Sequence, residues 1–366
     1  MNVAKEEKLE TKPKIPPKER KQKKFLLIRT DKIGDVISIT PAASILRKNF
    51  PKAHISALVS PYTKDILQNN TDIDEVITDD KPLKLLAPLI KAKRFDTAIV
   101  FFVDKKSALI PFLAGIKLRI GPASKIWSVL FNKMIFQHRS KKVKHEIDFN
   151  IDLLAPLFVY KFPATPKVIL TKEEKSEAKK YLKDTFELKT KDALICIHPG
   201  SKGSALDWPE KHYAKLIDLI LKKHNNVKIL LTGAQNEQRL LNRIYFRCSA
   251  KKPLVLSDTK TLREFCAIID QADITISNST GPLHIAAALG KPTVSFYPKL
   301  KNCSKERWGP YGKEHIILEP ILSEIGVREG FCFECKDDKC IVQCMETINP
   351  SQAFTAVEKQ LAKVLK

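Results

Sequence analysis

Apolar residues along this chain come in short unbroken runs, separated by stretches in which they recur every third or fourth position. The first run, Phe25-Leu26-Leu27-Ile28, has no polar interruption, the pattern of a strand buried on both faces. Next, "TPAASILRKNF" opens with Thr40, a residue suited to an N-cap, and carries Pro41 in the first turn before apolar residues at helical spacing. The alternation continues: "HISALVS" reads as strand, "PYTKDILQNN" as helix, "EVIT" as strand, "PLKLLAPLIKAK" as helix and "DTAIVFF" as strand. "KSALIPFLAGI" and "IWSVLFNKMIF" carry it on less clearly, and "HEIDFNIDLLAPLFVY" reads as one amphipathic helix. The pattern restarts at "ALICIHPG" and runs through "EKHYAKLIDLILKKHN", "VKILLTGA", "EQRLLNRIYFRC", "PLVLSD", "LREFCAIIDQA", "ITISNST", "GPLHIAAALG" and "PTVSFYP", strand and helix in turn.

Two successive runs of strand and helix imply an α/β chain of two doubly wound, Rossmann-like domains, each with a parallel sheet. The boundaries fall at 1–23 for a basic arm, 24–170 for the first domain, 171–190 for a linker and charged helix, 191–348 for the second domain and 349–366 for a terminal helix. That last helix has an apolar stripe and needs a groove; packing back on the first domain is one option. In such sheets ligands lie at the carboxyl ends of the strands, here facing a cleft between the halves.

Charge changes the picture. With 64 Lys and Arg against 41 Asp and Glu, the net charge is +23, which reads either as attraction to something anionic or, since the lysines are spread along the whole chain, as a generally Lys-rich composition. No apolar run approaches the ~20 residues of a membrane-spanning helix. The stretch "MNVAKEEKLETKPKIPPKERKQKK" lacks the apolar core of a secretory signal and reads as a solvated basic arm, either inert or able to hold the protein to anionic lipid headgroups. It has no interleaved aromatics, so no nucleic-acid partner is expected. Of the 8 cysteines, Cys196, Cys248 and Cys266 lie in or beside apolar segments, as core thiols of a reducing compartment do. Cys332, Cys335, Cys340 and Cys344 cluster with a spacing open to a structural zinc site, to reduced structural thiols or to a disulfide.

Three strand-to-helix turns carry the candidate chemistry. In "RTDKIGDVISITPA", Gly34 suits a tight turn and Asp35 then stands at a strand end, where a carboxylate can take a proton from an attacking hydroxyl; Lys32 and Gly34 are the candidate acceptor-side residues. In "HPGSKGSALDWPEKHY", Ser201, Gly203 and Ser204 are loop donors and Lys202 can contact a phosphate oxygen. In "SNSTGPLHIAAALGKPTVSFY", Asn278, Ser279, Thr280, Gly281 and Pro282 precede or open a helix whose first amides can receive a diphosphate, with His284 near the same mouth. Neither a Walker loop nor a G-x-G-x-x-G is present.

These three stretches, in this order along nearly the whole chain after residue 24, resemble glycosyltransferase family 9, the heptosyltransferases of lipopolysaccharide core synthesis. The likeness rests on Gly34 to Pro51, His198 to Leu216 and Thr280 to Val294. It implies a GT-B-like pair of Rossmann-like domains facing a cleft, with a nucleotide-sugar donor, usually ADP-heptose, on the second domain and a lipid-A/core oligosaccharide acceptor on the first. It further implies inverting transfer with Asp35 as general base, donor phosphates at Thr280, Gly281, Pro282 and His284, no cofactor, and a cytoplasmic location peripheral to the inner membrane. Two positions depart from the family pattern: Leu206 stands where a cation is common, and Ser279 where Asp is common. Two other functions stay open: a nucleotide-sugar-binding protein without catalysis, and transfer of a different sugar.

Overall fold

The computed structural model describes residues 23–139, 143–201, 203, 205–249, 251–259, 261–325, 335–336, 339–340 and 344–364. The first sheet is built from β1 (Lys24–Ile28), β2 (His54–Val59), β3 (Glu75–Thr78), β4 (Thr97–Val100), β5 (Leu118–Pro122) and β6 (Lys133–Ile135), in the order β3-β2-β1-β4-β5-β6. The second contains β7 (Ala193–His198), β8 (Val227–Thr232), β9 (Leu254–Leu256), β10 (Ile274–Asn278), β11 (Thr293–Phe296) and β12 (His315–Leu318), in the order β12-β11-β10-β7-β8-β9. Each is a doubly wound 3-2-1-4-5-6 sheet. All pairings within both are parallel. The strand order therefore reverses at β1/β4 in one domain and at β7/β10 in the other, and both reversals open on the same cleft.

The helices are α1 (Ile33–Ser38), α2 (Thr40–Asn49), α3 (Leu83–Ala92), α4 (Lys105–Leu113), α5 (Glu146–Asp152), α6 (Lys172–Phe186), α7 (Glu210–Lys223), α8 (Gln238–Arg247), α9 (Leu262–Gln271), α10 (Gly281–Ala288), α11 (Lys305–Trp308) and α12 (Pro350–Val364). Among the described residues, no helix is long and apolar enough to cross a membrane. The central strands are buried, as their unbroken apolar runs require: all six residues of β7 are buried, and all of β1 after Lys24. One contiguous apolar cluster joins the domains. Cys266 and Ile269 of α9 and Ile285 and Ala286 of α10 belong to the same core as Val36, Ile37 and Ala42 of the first domain.

Four expectations change. The stretch around Gly34-Asp35 is a helical turn rather than a strand end, so Asp35 sits in the first turn of α1. "PYTKDIL" winds as a 3₁₀ helix. "HEIDFNIDLLAPLFVY" breaks: α5 stops at Asp152, a 3₁₀ turn spans Ala155–Leu157, and Phe158 takes the left-handed conformation at φ 50°. The terminal helix does not return to the first domain. Ala353, Val357 and Leu361 of α12 pack in the second domain's core with Ile217 and Ile220 of α7. The linker helix α6, opened by a Thr171/Glu174 capping box, likewise covers the second domain through Ala178 and Leu182.

Candidate active site

The cleft is a cavity of about 700 Å³. Its first-domain wall carries Asp31, Lys32, Gly34 and Asp35, which follow β1, and Phe102, which follows β4. Its second-domain wall carries His198 and Ser201 after β7, Glu237 after β8, and Ser279, Thr280, Gly281, Pro282 and His284 at the start of α10. Arg29 organises the first wall. It is 3% exposed, and its Nε donates to Asp31 Oδ1 at 2.7 Å while Nη2 donates to Asp35 Oδ1. Its Nη1 reaches Glu146 Oε1 at 3.3 Å and Asn150 Oδ1 at 3.4 Å. Burial alone would lower the pKa of this guanidinium, but Asp35, Asp31 and Glu146 more than offset it and raise it. Oδ2 of Asp35 has no hydrogen-bond partner among the described residues. Burial pushes the neighbouring Asp31 carboxyl up to about 7 against the pull of Arg29.

Glu146 is the hinge of the electrostatics. It is 1% exposed, and it accepts from Arg29, from Arg139 Nη1 at 2.7 Å and from Arg307 Nε of the second domain at 3.3 Å. Burial would raise its pKa, but Arg29, Arg139 and Arg307 together hold it down at about 2. His145, next to it, shares a 2.8 Å hydrogen bond with the Gly309 carbonyl across the domain boundary.

On the second wall, Thr280 is the N-cap of α10, but its hydroxyl pairs with Ser277 Oγ at 3.1 Å and makes no cap bond. The first amides of α10 therefore carry the positive end of the helix toward the cleft uncovered by that side chain. His284 lies against Gly34, its ring 6.2 Å from that of Trp308. Burial, with His145 nearby, lowers its pKa to about 4, so the imidazole is neutral near pH 7. His198 pairs with Thr232 Oγ1 at 3.1 Å, and its Nε2 lies 3.8 Å from Glu237 Oε2.

Lys32, Gly34, Asp35, Ser201, Ser279, Thr280, Gly281, Pro282 and His284 thus share one cavity, as their motifs suggest. Asn278 does not face it. This side chain is fully buried: its Oδ1 accepts from the Trp208 amide at 3.0 Å, and its Nδ2 donates to the Pro199 carbonyl at 2.6 Å and to Asp207 Oδ1 at 3.0 Å. It staples the 199–208 loop to β10. Gly203 turns that loop at φ +73° and does not line the cavity, while Lys202 and Ser204 lie outside the described residues. Leu206 packs against the second domain's core. Of the cysteine cluster, Cys332 lies outside the described residues, Cys335 and Cys340 face each other in backbone register across a short antiparallel pair, and Cys344 is buried in the second core. Sequence reasoning missed Arg29, Asp31, His198, Glu237, Glu146 and Arg307. Arg29 and Asp31 had a signal, since both immediately follow a buried strand; Glu146 and Arg307 are 161 positions apart and had none.

Two facing doubly wound domains, with a carboxylate on one wall of the cleft and an open helix start on the other, define a GT-B-like transferase. The chain belongs to glycosyltransferase family 9 (heptosyltransferase), whose profile matches residues 85–329, and it is a glycosyltransferase. A Haemophilus influenzae protein described only as a glycosyltransferase is 32% identical over 310 residues, covering 81% of this chain and 89% of that protein. Lipopolysaccharide heptosyltransferase 2 of Escherichia coli is 24% identical over 336 residues, 84% of this chain and 91% of the relative. The solved ADP-heptose heptosyltransferase II of E. coli superposes with a TM-score of 0.75 at 21% identity, covering 93% of this chain and 99% of that one.

Proposed function

We propose that this glycosyltransferase moves a heptose from ADP-heptose to a hydroxyl of a lipopolysaccharide inner-core acceptor, with inversion at the anomeric carbon. The observation that carries the reading is that Asp35 and the start of α10 line one cavity from opposite domains. The acceptor oxygen attacks the anomeric carbon, its proton passes to Oδ2 of Asp35, and the bond from that carbon to the diphosphate oxygen breaks, the diphosphate leaving with the electron pair. Arg29 holds Asp35 through Oδ1 and so aims the free oxygen into the cleft. The leaving diphosphate meets the amides of α10 and Lys32. Glu237 and His198 stand where they can accept hydrogen bonds from ligand hydroxyls. The route as proposed calls on no cofactor, the charge on the leaving diphosphate being met by helix amides and cations. With an acceptor carried on lipid and a nucleotide-sugar donor, the reading puts the enzyme's work at the inner face of the cytoplasmic membrane, as a peripheral protein.

Among the described residues lining the cleft, Lys32 is the only Lys or Arg. With Leu206 turned into the core, this shortage of cations supports weighing two other readings, a donor-binding protein without catalysis and a transferase of another sugar. One experiment separates them. Wild type and Asp35→Asn are titrated with ADP-heptose and other nucleotide sugars by thermal shift, and product is measured on a heptose-deficient core acceptor. The proposal expects ADP-heptose to stabilise both proteins and product to appear only with wild type. Stabilisation without product from wild type on any acceptor would leave a silent binder.

A further inference from the structure

The carboxyl edge of the first sheet extends past the cleft into a surface that the transfer chemistry does not use. Every pairing in that sheet is parallel, so the residues after β1, β4, β5 and β6 emerge on one edge. After β1 come the cleft residues Asp31 to Asp35. After β4 comes Phe102, which lines the cleft and has the Lys125 ammonium 4.4 Å over its ring. After β5 the chain enters a 3₁₀ turn, Ile126–Leu130, and Phe136 follows β6. Ile126 is 82% exposed, Val129 74% and Phe136 68%. Side chains three apart in a 3₁₀ helix lie on one face, so Ile126 and Val129 project together. Isolated exposed apolar residues are ordinary, but three this open along one edge of a site are not.

The charge of the same stretch is as one-sided. Residues 101–144 contain ten Lys or Arg and a single acid, Asp104; three of the cations, Lys106, Arg139 and Lys144, pair with Asp79, Glu146 and Asp152 from outside the stretch, which leaves the balance basic. Lys105, at the start of α4, stands 5.8 Å over the Trp127 ring, and Lys125 precedes Ile126 directly. Apolar side chains that can enter an acyl boundary, flanked by ammonium groups that can meet phosphates, match an anionic lipid surface. A second copy of the chain fits poorly, because a two-fold contact would set this basic face against itself.

We infer that this edge, centred on Ile126, Val129 and Phe136 with Lys105 and Lys125 beside them, is the surface by which the protein docks on an anionic bilayer. It presents the cleft to lipid-borne acceptors along the plane of the headgroups. The inference rests on the acceptor being lipid-borne, as proposed above, and it places the contact on the folded domain rather than on the amino-terminal arm.

The test uses the full-length chain in co-sedimentation with vesicles of phosphatidylethanolamine and phosphatidylglycerol, with phosphatidylcholine vesicles as the uncharged control. Wild type partitions onto the anionic vesicles. Ile126→Ser with Val129→Ser weakens partitioning roughly tenfold or more, since two buried aliphatic chains are lost, and Ile126→Trp strengthens it. The serine variant keeps its melting temperature and its turnover on a deacylated, soluble core oligosaccharide, and loses turnover only on acceptor embedded in vesicles. Wild-type partitioning by the serine variant would overturn the inference. So would equal loss on the soluble acceptor, which would make the edge an acceptor subsite, or loss of a concentration-dependent dimer, which would make it a self-contact. The two readings fail separately: vesicle binding without product on any acceptor removes the proposed transfer and leaves the surface, whereas product on soluble acceptor without edge-dependent vesicle binding does the reverse.

Discussion

Gly34 and His284 meet across the domain boundary: a Cβ at Gly34 would lie 2.6 Å from Cδ2 of His284. The absence of a side chain there lets α1 approach α10 closely enough for a carboxylate and a phosphate-binding helix start to share one cavity. Gly34→Ala should therefore push the walls apart and lower turnover tenfold or more, in line with the roughly hundredfold that a 1 Å misplacement can cost. The check is a double-mutant cycle. If the clash is the cause, adding Gly34→Ala to a His284→Ala background costs almost nothing further; an equal cost in both backgrounds would contradict it.

Arg29 stands among three carboxylates, those of Asp31, Asp35 and Glu146. Replacing it with Met leaves buried acids without their cation, a defect worth about 3–5 kcal/mol. Arg29→Met should lower the urea midpoint accordingly and abolish transfer. Asp35→Asn keeps an oxygen for Arg29 but removes one of its three opposing charges, so it should lower the midpoint by less than Arg29→Met and still lose about 10²–10⁴ in turnover, because the proton acceptor is gone. Equal stability loss in both variants would show that Asp35 serves the fold rather than the reaction.

The sequence carried much of this. Strand runs such as "KFLLI" and "ALICIH" are legible because parallel strands are buried on both faces, and the helix-start motifs are legible because caps and prolines are local signals. What stayed hidden depends on tertiary contact. Gly34 looked like a turn glycine, yet the turn is helical and its reason is a histidine 250 positions away. Asn278 looked like a ligand donor because its neighbours are, and only the packed loop shows that all three of its hydrogen bonds are used internally. Glu146 lies in a segment that reads simply as amphipathic helix; two of its three arginines, Arg29 and Arg307, come from remote parts of the chain.

Acid stability should follow Glu146. Its carboxyl is held at about 2 against an ordinary 4.5, so its contribution is complete above pH 4.5 and lost as pH falls from 4.5 toward 2, about 3 kcal/mol in all. Two other groups act at higher pH with opposite signs. His284, lowered from 6.5 to about 4, takes up its proton first in the unfolded chain, so stability falls as pH drops through that window. Asp31, raised from 3.8 to about 7, gives up its proton first in the unfolded chain, so stability falls as pH rises. The two slopes oppose between pH 4 and 6.5. The urea midpoint should therefore be nearly flat from pH 6.5 down to 4.5 and drop below that. Glu146→Gln should be less stable at pH 7 and should lose much of that acid-side drop; an unchanged slope would assign the drop elsewhere.

Asn278 supplies the last prediction. Its amide closes the 199–208 loop onto β10 with one acceptor and two donors, all buried. Asn278→Asp has nearly the same shape and keeps the acceptor for the Trp208 amide. It turns the two donor contacts into a carboxylate facing the Pro199 carbonyl and the Asp207 carboxylate, so repulsion replaces attraction at an unchanged volume. The loop should detach at neutral pH. Because Gly200 and Ser201 of that loop line the cleft while Asp35 does not touch it, the loss should appear as weaker donor binding, a KM for donor raised tenfold or more, with the acceptor KM nearly unaltered. Acid should partly reverse the defect, since a protonated aspartic acid regains one donor; burial already raises the neighbouring Asp207 carboxyl, which helps it take up a proton too. Donor affinity measured by titration calorimetry at pH 7 and pH 5.5 decides the matter. Recovery at the lower pH identifies the staple as the cause, whereas equal weakening of donor and acceptor at both values would mean that Asn278 supports the whole second domain rather than the donor loop.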